Sequence, residues 1–320
     1  MPYELAGRLV VGIASSALFD LAESDRVFRE QGEETYRAYQ REHLTDTLEP
    51  GVAFPFVRRL LSLNDLAEPD DPLVEVIVLS RNDPDTGLRV MRSIQSHGLA
   101  ISRAVFMQGR SPYRFMPALN MSLFLSANQD DVREAVALGL PAGHVLGPVA
   151  EDEPEDTDLR IAFDFDGVLA DDSAEQLYQS GGIEEFRAHE VANADVAHDV
   201  GPLKEFLTAV NRIQQREEEE RRKDPTSRIR VHVSIVTARN APAHERAVTS
   251  LNRWGLRVND AFFLGGIDKG RIMSVLKPHI FFDDQADHLE STARTTPSVH
   301  VPFGRLNQPP APPTTATPNP

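Results

Sequence analysis

The sequence predicts an α/β protein built from two similar halves, and three observations carry that reading. Short apolar runs end at polar residues and lead into glycine or helical stretches: VEVIVLS at 74–80, LRIAFDFDG at 159–167, VHVSIVT at 231–237 and HIFFDD at 279–284. The halves also read alike. VEVIVLSRNDP resembles VHVSIVTARNAP, Gly98-Leu99 maps onto Gly255-Leu256, FMQG onto FLGG, and Leu125-Ser126-Ala127 onto Phe282-Asp283-Asp284. Between the halves lies AEDEPEDTD, an acidic segment with a proline, which marks a boundary.

Taken in order, residues 10–14 form a first strand, and EETYRAYQREHL follows with Tyr36, Tyr39 and Leu44 at helical spacing. Gly51 precedes a second helical stretch, PFVRRLLSLNDL. VEVIVLS reads as a buried strand, 86–97 as a helix stopped by Gly98, 104–107 and 123–126 as strands, and DDVREAVALG as a helix ending at Gly139. In the second half the stretch between Asp166 and Thr237 far exceeds a crossover helix, so residues 172–228 are expected to form a small helical cap. Tyr178 and Phe186 could give that cap an aromatic surface, whereas Phe206 shares apolar helical spacing with Leu203 and Val210 and suits the core. EEEERRKD at 217–224 reads as a solvated helix end, and His189 and His198 as ordinary polar residues.

Chemistry concentrates at the strand ends. Side chains alternate across a strand, so Asp164 and Asp166 face the same way while Phe165 points away. One carboxylate can attack and the other can move a proton. Thr237, Arg239, Lys269 and the Asp283-Asp284 pair stand at or just beyond the ends of the other apolar runs. The first half lacks this set: Ile13 or Ala14 falls near the first acid's place and Ser15 or Ser16 near the second, Pro112 replaces Lys269, and Ser126-Ala127 replace the acid pair. It cannot run the same reaction, although its serines and Arg81 leave a regulatory nucleotide site open beside the plainer role of a packing partner.

Composition narrows the classes further. The 320 residues include no cysteine, which excludes disulfides, thiolate nucleophiles and zinc–thiolate sites. A formal charge of −16 argues against nucleic-acid polymers, while a phosphorylated small molecule stays acceptable if a divalent cation and local bases such as Arg239, Lys269 and Arg271 reverse the field. No long apolar run points to a membrane, and a cytoplasmic location is expected. Self-association stays open.

The four ordered signals, FDFDGV, the strand ending at Thr237, GGIDKG with Lys269, and HIFFDD, resemble the signatures of the haloacid dehalogenase superfamily of phosphohydrolases. Beyond these, FPFVRRLL, PLVEVIVLSRNDPDTGLRVMRSIQSHGL, GRSPYRFMPALNMSLFLSA and LRIAFDFDGVLADDSAE make nearly the whole ordered chain similar to the cytosolic 5'-nucleotidase type I family. The resemblance implies a Rossmann-like haloacid dehalogenase core with a small helical cap, tandemly duplicated. It also implies Mg²⁺-dependent hydrolysis of nucleoside 5'-monophosphates. On the same basis Asp164 is the nucleophile, Asp166 the acid and base, Thr237 and Lys269 hold the phosphoryl group, and Arg239 is a substrate-binding candidate. Asp164, Asp283 and the main-chain carbonyl of Asp166 would hold the metal, with Asp284 a further candidate. Residues 1–149 are thus expected to form a degenerate lobe, 150–158 a linker, 159–303 the catalytic lobe and 304–320 a disordered proline-rich tail. Two alternatives remain: a capped phosphohydrolase of another small phosphomonoester, such as a sugar phosphate, and a nucleotide sensor using the first half.

Overall fold

A computed structural model describes residues 3–68, 71–150, 156–304 and 307. The centre of the acidic linker, 151–155, and nearly all of the proline-rich tail lie outside the described residues.

In the first half the elements are β1 (Leu9–Ile13), α1 (Ser15–Leu18), α2 (Ala22–Glu42), α3 (Phe54–Ser62), β2 (Val74–Ser80), α4 (Pro84–Ser96), β3 (Arg103–Phe106), β4 (Leu123–Ser126), α5 (Gln129–Ala137) and β5 (Ala142–Leu146). The second half gives β6 (Leu159–Phe163), α6 (Ser173–Ala192), α7 (Lys204–Lys223), β7 (Val231–Thr237), α8 (His244–Arg253), β8 (Asp260–Phe263), α9 (Lys269–Leu276), β9 (Ile280–Asp283), α10 (Ala286–Thr292) and β10 (Ser298–His300). The helix expected at 86–97 starts at Pro84, because Asp83 caps it by accepting the Thr86 N–H at 2.8 Å and proline suits the first turn.

All ten strands join one sheet in the order β3-β2-β1-β4-β5-β10-β9-β6-β7-β8. Neighbours are parallel within each half, and among the described residues the one antiparallel strand pair is β5 with β10, through Ser298↔Leu146, Val299↔Val145 and His300↔His144. One continuous sheet runs through both halves. The antiparallel join reverses strand direction, so the C-terminal strand ends of the two halves open on opposite rims of the sheet. Within each half the first strand lies between two neighbours, β1 between β2 and β4, β6 between β7 and β9. That is where an open α/β sheet binds ligands.

Alternation along the strands sorts the core. Leu9, Val11, Ile13, Ile161, Phe163, Val231 and Val233 point to one face, where α3 and α7 cover a single apolar cluster shared by both halves. On the other face Val10, Ile77 and Phe124 belong to one cluster and Ala162, Val236 and Phe281 to another. Helix α7 falls inside the range expected for the cap, yet Phe206, Leu207, Val210 and Ile213 bury it against the sheet. Its Glu217 is not solvated either: the carboxylate accepts the N–H groups of Arg230 at 2.9 Å and Val231 at 3.2 Å, where the chain enters β7. Both α2 and α6 are broken at a glycine with positive φ, Gly32 (81°) and Gly182 (75°), a conformation that a side chain disfavours.

Candidate active site at the ends of β6, β7 and β9

Three parallel strands set the site. Asp164 follows β6, and its N–H donates to the Phe282 carbonyl of β9 at 2.7 Å, which fixes the residue against the neighbouring strand. Its own Oδ1 accepts the Phe165 N–H at 2.7 Å. Asp283 ends β9, Thr237 ends β7, and Lys269 opens α9, whose cap Asp268 accepts the Gly270 N–H at 2.9 Å. Lys269 Nζ lies 2.7 Å from Asp164 Oδ2 and 2.7 Å from Asp283 Oδ2. All four residues are buried.

Burial pushes the Asp164 carboxyl up to about 6 against the pull of Lys269, and the charges of Asp283 and Asp166 add to the rise. Burial also opposes the charge of Asp283, but Lys269 and His288 hold that carboxyl below its ordinary range. The ammonium of Lys269, disfavoured by burial, is held more tightly than an ordinary lysine's by Asp164 and Asp283. Among the described residues no cation hydrogen-bonds the Asp284 side chain, and Lys269 acts on it only weakly. Burial first, then the charges of Asp164, Asp283 and Asp166, push it up to about 9, and its Oδ1 is buried without a hydrogen bond. Gly167, at φ +69°, makes room for it: a Cβ there would stand 2.2 Å from Asp284 Oδ2.

Three buried carboxylates, Asp164, Asp283 and Asp284, therefore face one ammonium. The deficit of positive charge and the orphaned oxygen fit a divalent cation. Ligand atoms of Asp164, Asp283 and His288 all lie within 4.8 Å of one another. Sequence spacing did not single out His288; five residues beyond Asp283 on the next helix, its Nδ1 reaches Asp283 Oδ2 at 3.2 Å.

Asp166 is held apart from that cluster. Arg239 grips it with two bonds, Nε to Oδ2 and Nη2 to Oδ1, each 2.7 Å. The same guanidinium donates through Nη1 to Glu190 of α6 and, at 3.1 Å, to the Ala243 carbonyl, and through Nη2 to His198 Nε2 at 3.0 Å. All five N–H groups of an arginine are then engaged. Burial disfavours its charge, and Asp166 and then Glu190 reverse this and raise its affinity for the proton. His198, expected to be an ordinary polar residue, is buried: its Nδ1 lies 3.0 Å from Ser250 Oγ, so the tautomer protonated there leaves Nε2 to accept from Arg239. Arg246 of α8 completes the group at 2.8 Å from Glu190. Thr237 keeps its hydroxyl local, accepting the Arg239 N–H at 3.3 Å.

Above these residues is a cleft of 410 Å³ lined by Asp166, Tyr178, Phe186, Arg239, Asn240 and His288, among others. Tyr178 and Phe186 meet edge to face on α6, with ring centroids 6.2 Å apart, whereas Phe206 is buried in the core.

Fold and site together define the class: a Rossmann-like α/β protein whose strand ends gather carboxylates around one lysine. The chain belongs to the 5'-nucleotidase family, whose sequence model, described as 5'-nucleotidase, matches residues 1–308. It is 31% identical over 293 residues to the human (Homo sapiens) protein cytosolic 5'-nucleotidase 1B, a match covering 89% of this chain and 47% of that protein. The chain thus spans about half the length of the curated relative it matches. Among the described residues no helix is long and apolar enough to cross a membrane.

Proposed function

We propose that the protein hydrolyses nucleoside 5'-monophosphates, AMP-like nucleotides among them, to nucleoside and phosphate in the presence of Mg²⁺, at the ends of β6, β7 and β9. The observation that carries this is the buried set Asp164, Lys269, Asp283 and Asp284, three carboxylates with one ammonium and one orphaned oxygen. Asp164 attacks phosphorus, the bond to the nucleoside's O5' breaks, and an aspartyl-phosphate forms. Asp166 gives its proton to the departing oxygen, then takes one from the water that cleaves the intermediate. Lys269 and the Thr237 hydroxyl hold the phosphoryl oxygens. Asp164, Asp283 and Asp284, with the main-chain carbonyl of Asp166, would hold Mg²⁺, which supplies charge neutralisation when bound.

The name of the human relative and the nearly chain-long family match support the nucleotide as substrate. Tyr178 and Phe186 give a base an aromatic wall. We read α6 as the cap over the site, the two halves as a tandem duplication, and the location as cytoplasmic, as in the relative's name. For a regulatory nucleotide the supporting observation is a cleft of 760 Å³ at the strand ends of the first half. Arg81 would have to leave Asp131 and Glu134 to reach a phosphate there.

The test is phosphate release from AMP, IMP, GMP, CMP, UMP, their deoxy forms and several sugar phosphates, with Mg²⁺ or chelator. Mg²⁺-dependent release from nucleotides is expected. Release from sugar phosphates alone would replace the substrate and keep the chemistry, and release from none would overturn the proposal.

A further inference from the structure

We propose that Glu190 is a positioning residue that, through Arg239, holds the Asp166 carboxyl in register with the leaving oxygen. This rests on the assignment of Asp166 as proton donor made above. Glu190 lies on α6, which lines the cleft through Tyr178, Ile183 and Phe186, and its side chain is fully buried. A carboxylate in that setting survives only with partners. Two guanidinium groups supply them: Arg239 Nη1 on Oε2 and Arg246 Nη1 at 2.8 Å on Oε1. Burial opposes its charge, yet the hydrogen-bonding and cationic groups around it hold the carboxyl well below the usual carboxylate range.

The geometry assigns Arg239 to this clamp and away from the substrate. Its five N–H groups end on Asp166, Glu190, His198 and the Ala243 carbonyl, with none left for a phosphoryl oxygen. The ring faces of Phe165 and Phe186 lie 5.2 and 5.5 Å from the guanidinium carbon and restrict its movement. Glu190 is thus the anchor at one end of a rigid fork and Asp166 the group aimed at the other. When Asp166 carries its proton, one oxygen still accepts from Arg239 Nε, while the other donates its O–H to the nucleoside's O5'. Without Glu190 the fork loses its inner support, and Asp166 its fixed orientation. The clamp also ties α6 to the chemistry, since the helix that covers the cleft supplies the anchor.

The test uses the full chain with Mg²⁺ and compares two esters in single-turnover experiments. p-Nitrophenolate leaves without needing a proton; the nucleoside alkoxide does not. For Glu190→Gln, which keeps the shape and removes the charge, first-turnover release of adenosine from AMP is expected to fall about 30- to 300-fold. First-turnover release of p-nitrophenolate should fall no more than about threefold. Arg246→Gln, which weakens the anchor from the side away from Asp166, should show the same split at smaller amplitude and serves if the first variant does not fold. Glu190→Asp should recover part of the AMP rate. Equal losses on both esters, or no loss on AMP, would overturn the inference. Wild type and Asp164→Asn separate this from the substrate assignment: if wild type cleaves p-nitrophenyl phosphate but no nucleotide, the nucleotidase reading fails, and the clamp is tested on the best alkyl phosphate the enzyme accepts.

Discussion

At the strand ends of the first half, Ala14, Ser16, Ser80, Ser126 and Ala127 occupy the backbone positions held in the second by Asp164, Asp166, Thr237, Asp283 and Asp284. Hydrogen bonds fix the match. Ala14 N–H donates to Leu125 O at 2.8 Å as Asp164 N–H does to Phe282 O at 2.7 Å, and Asn128 N–H donates to Ser126 Oγ as Gln285 N–H does to Asp283 Oδ1. Even the pair Asp283 and His288 has its counterpart in Ser126 and Asp131, 3.0 Å apart. Asn82, whose N–H meets Ser80 Oγ at 3.1 Å, stands where Arg239 stands, so the Arg81-Asn82 and Arg239-Asn240 pairs that look alike in sequence are offset by one residue in space. The same backbone therefore holds two kinds of site. One gathers buried acids around a lysine; the other, with alanines and serines, lines a wider cleft.

The sharpest way to break this comparison is to exchange functional groups. Asp164→Asn is expected to lower phosphate release from AMP by at least about 1,000-fold, while Ala14→Ser in the equivalent position changes it by less than about twofold, both read in the same coupled assay. Next in size, Lys269→Met leaves buried carboxylates facing one another. Urea unfolding in chelator at neutral pH should show a loss of about 3–5 kcal/mol, against less than about 1 kcal/mol for Arg81→Met, whose charge pairs near the surface.

Metal linkage should distinguish the halves by pH. Asp284 holds its proton in the metal-free fold until about 9, so the stability it contributes is present at low pH and is lost as pH rises from the ordinary carboxylate range toward about 9. Mg²⁺ needs the deprotonated form. The rise in Tm on adding Mg²⁺ should therefore grow between about pH 6 and about pH 9, vanish in Asp283→Asn and persist in Ser126→Ala. A shift independent of pH would disconnect Asp284 from the metal. Ser126→Ala itself removes a half-buried hydrogen bond to Asp131 and should cost about 1 kcal/mol in thermal unfolding with no change in turnover.

Much of this comparison was legible in the chain because it is local. A run such as HIFFDD states both the strand and the acids at its end, and the 123–126 strand forms with the expected limits. What joins the halves was not legible. β5 and β10 are short, AGHVL and SVH, and carry too little apolar pattern to stand out, yet their antiparallel pairing makes one sheet of two. The clamp on Asp166 was hidden for a different reason. Arg239 is 73 residues from Asp166 and 49 from Glu190 in sequence, and a lone Glu on a helix or a His in a loop gives no sign of burial until helix and loop are packed. Similarly, the charge run at 217–224 conceals Glu217, whose position on the inner face of α7 decides its role.

The most direct test of the claim that chemistry belongs to the second half is to trap the covalent intermediate. Protein mixed with AMP labelled in its phosphate and Mg²⁺, quenched in acid within the first turnover and digested, should carry the label on the peptide containing Asp164, with none in Asp164→Asn. Label on a peptide from the first half, or turnover with no labelled peptide at any quench time, would contradict the account.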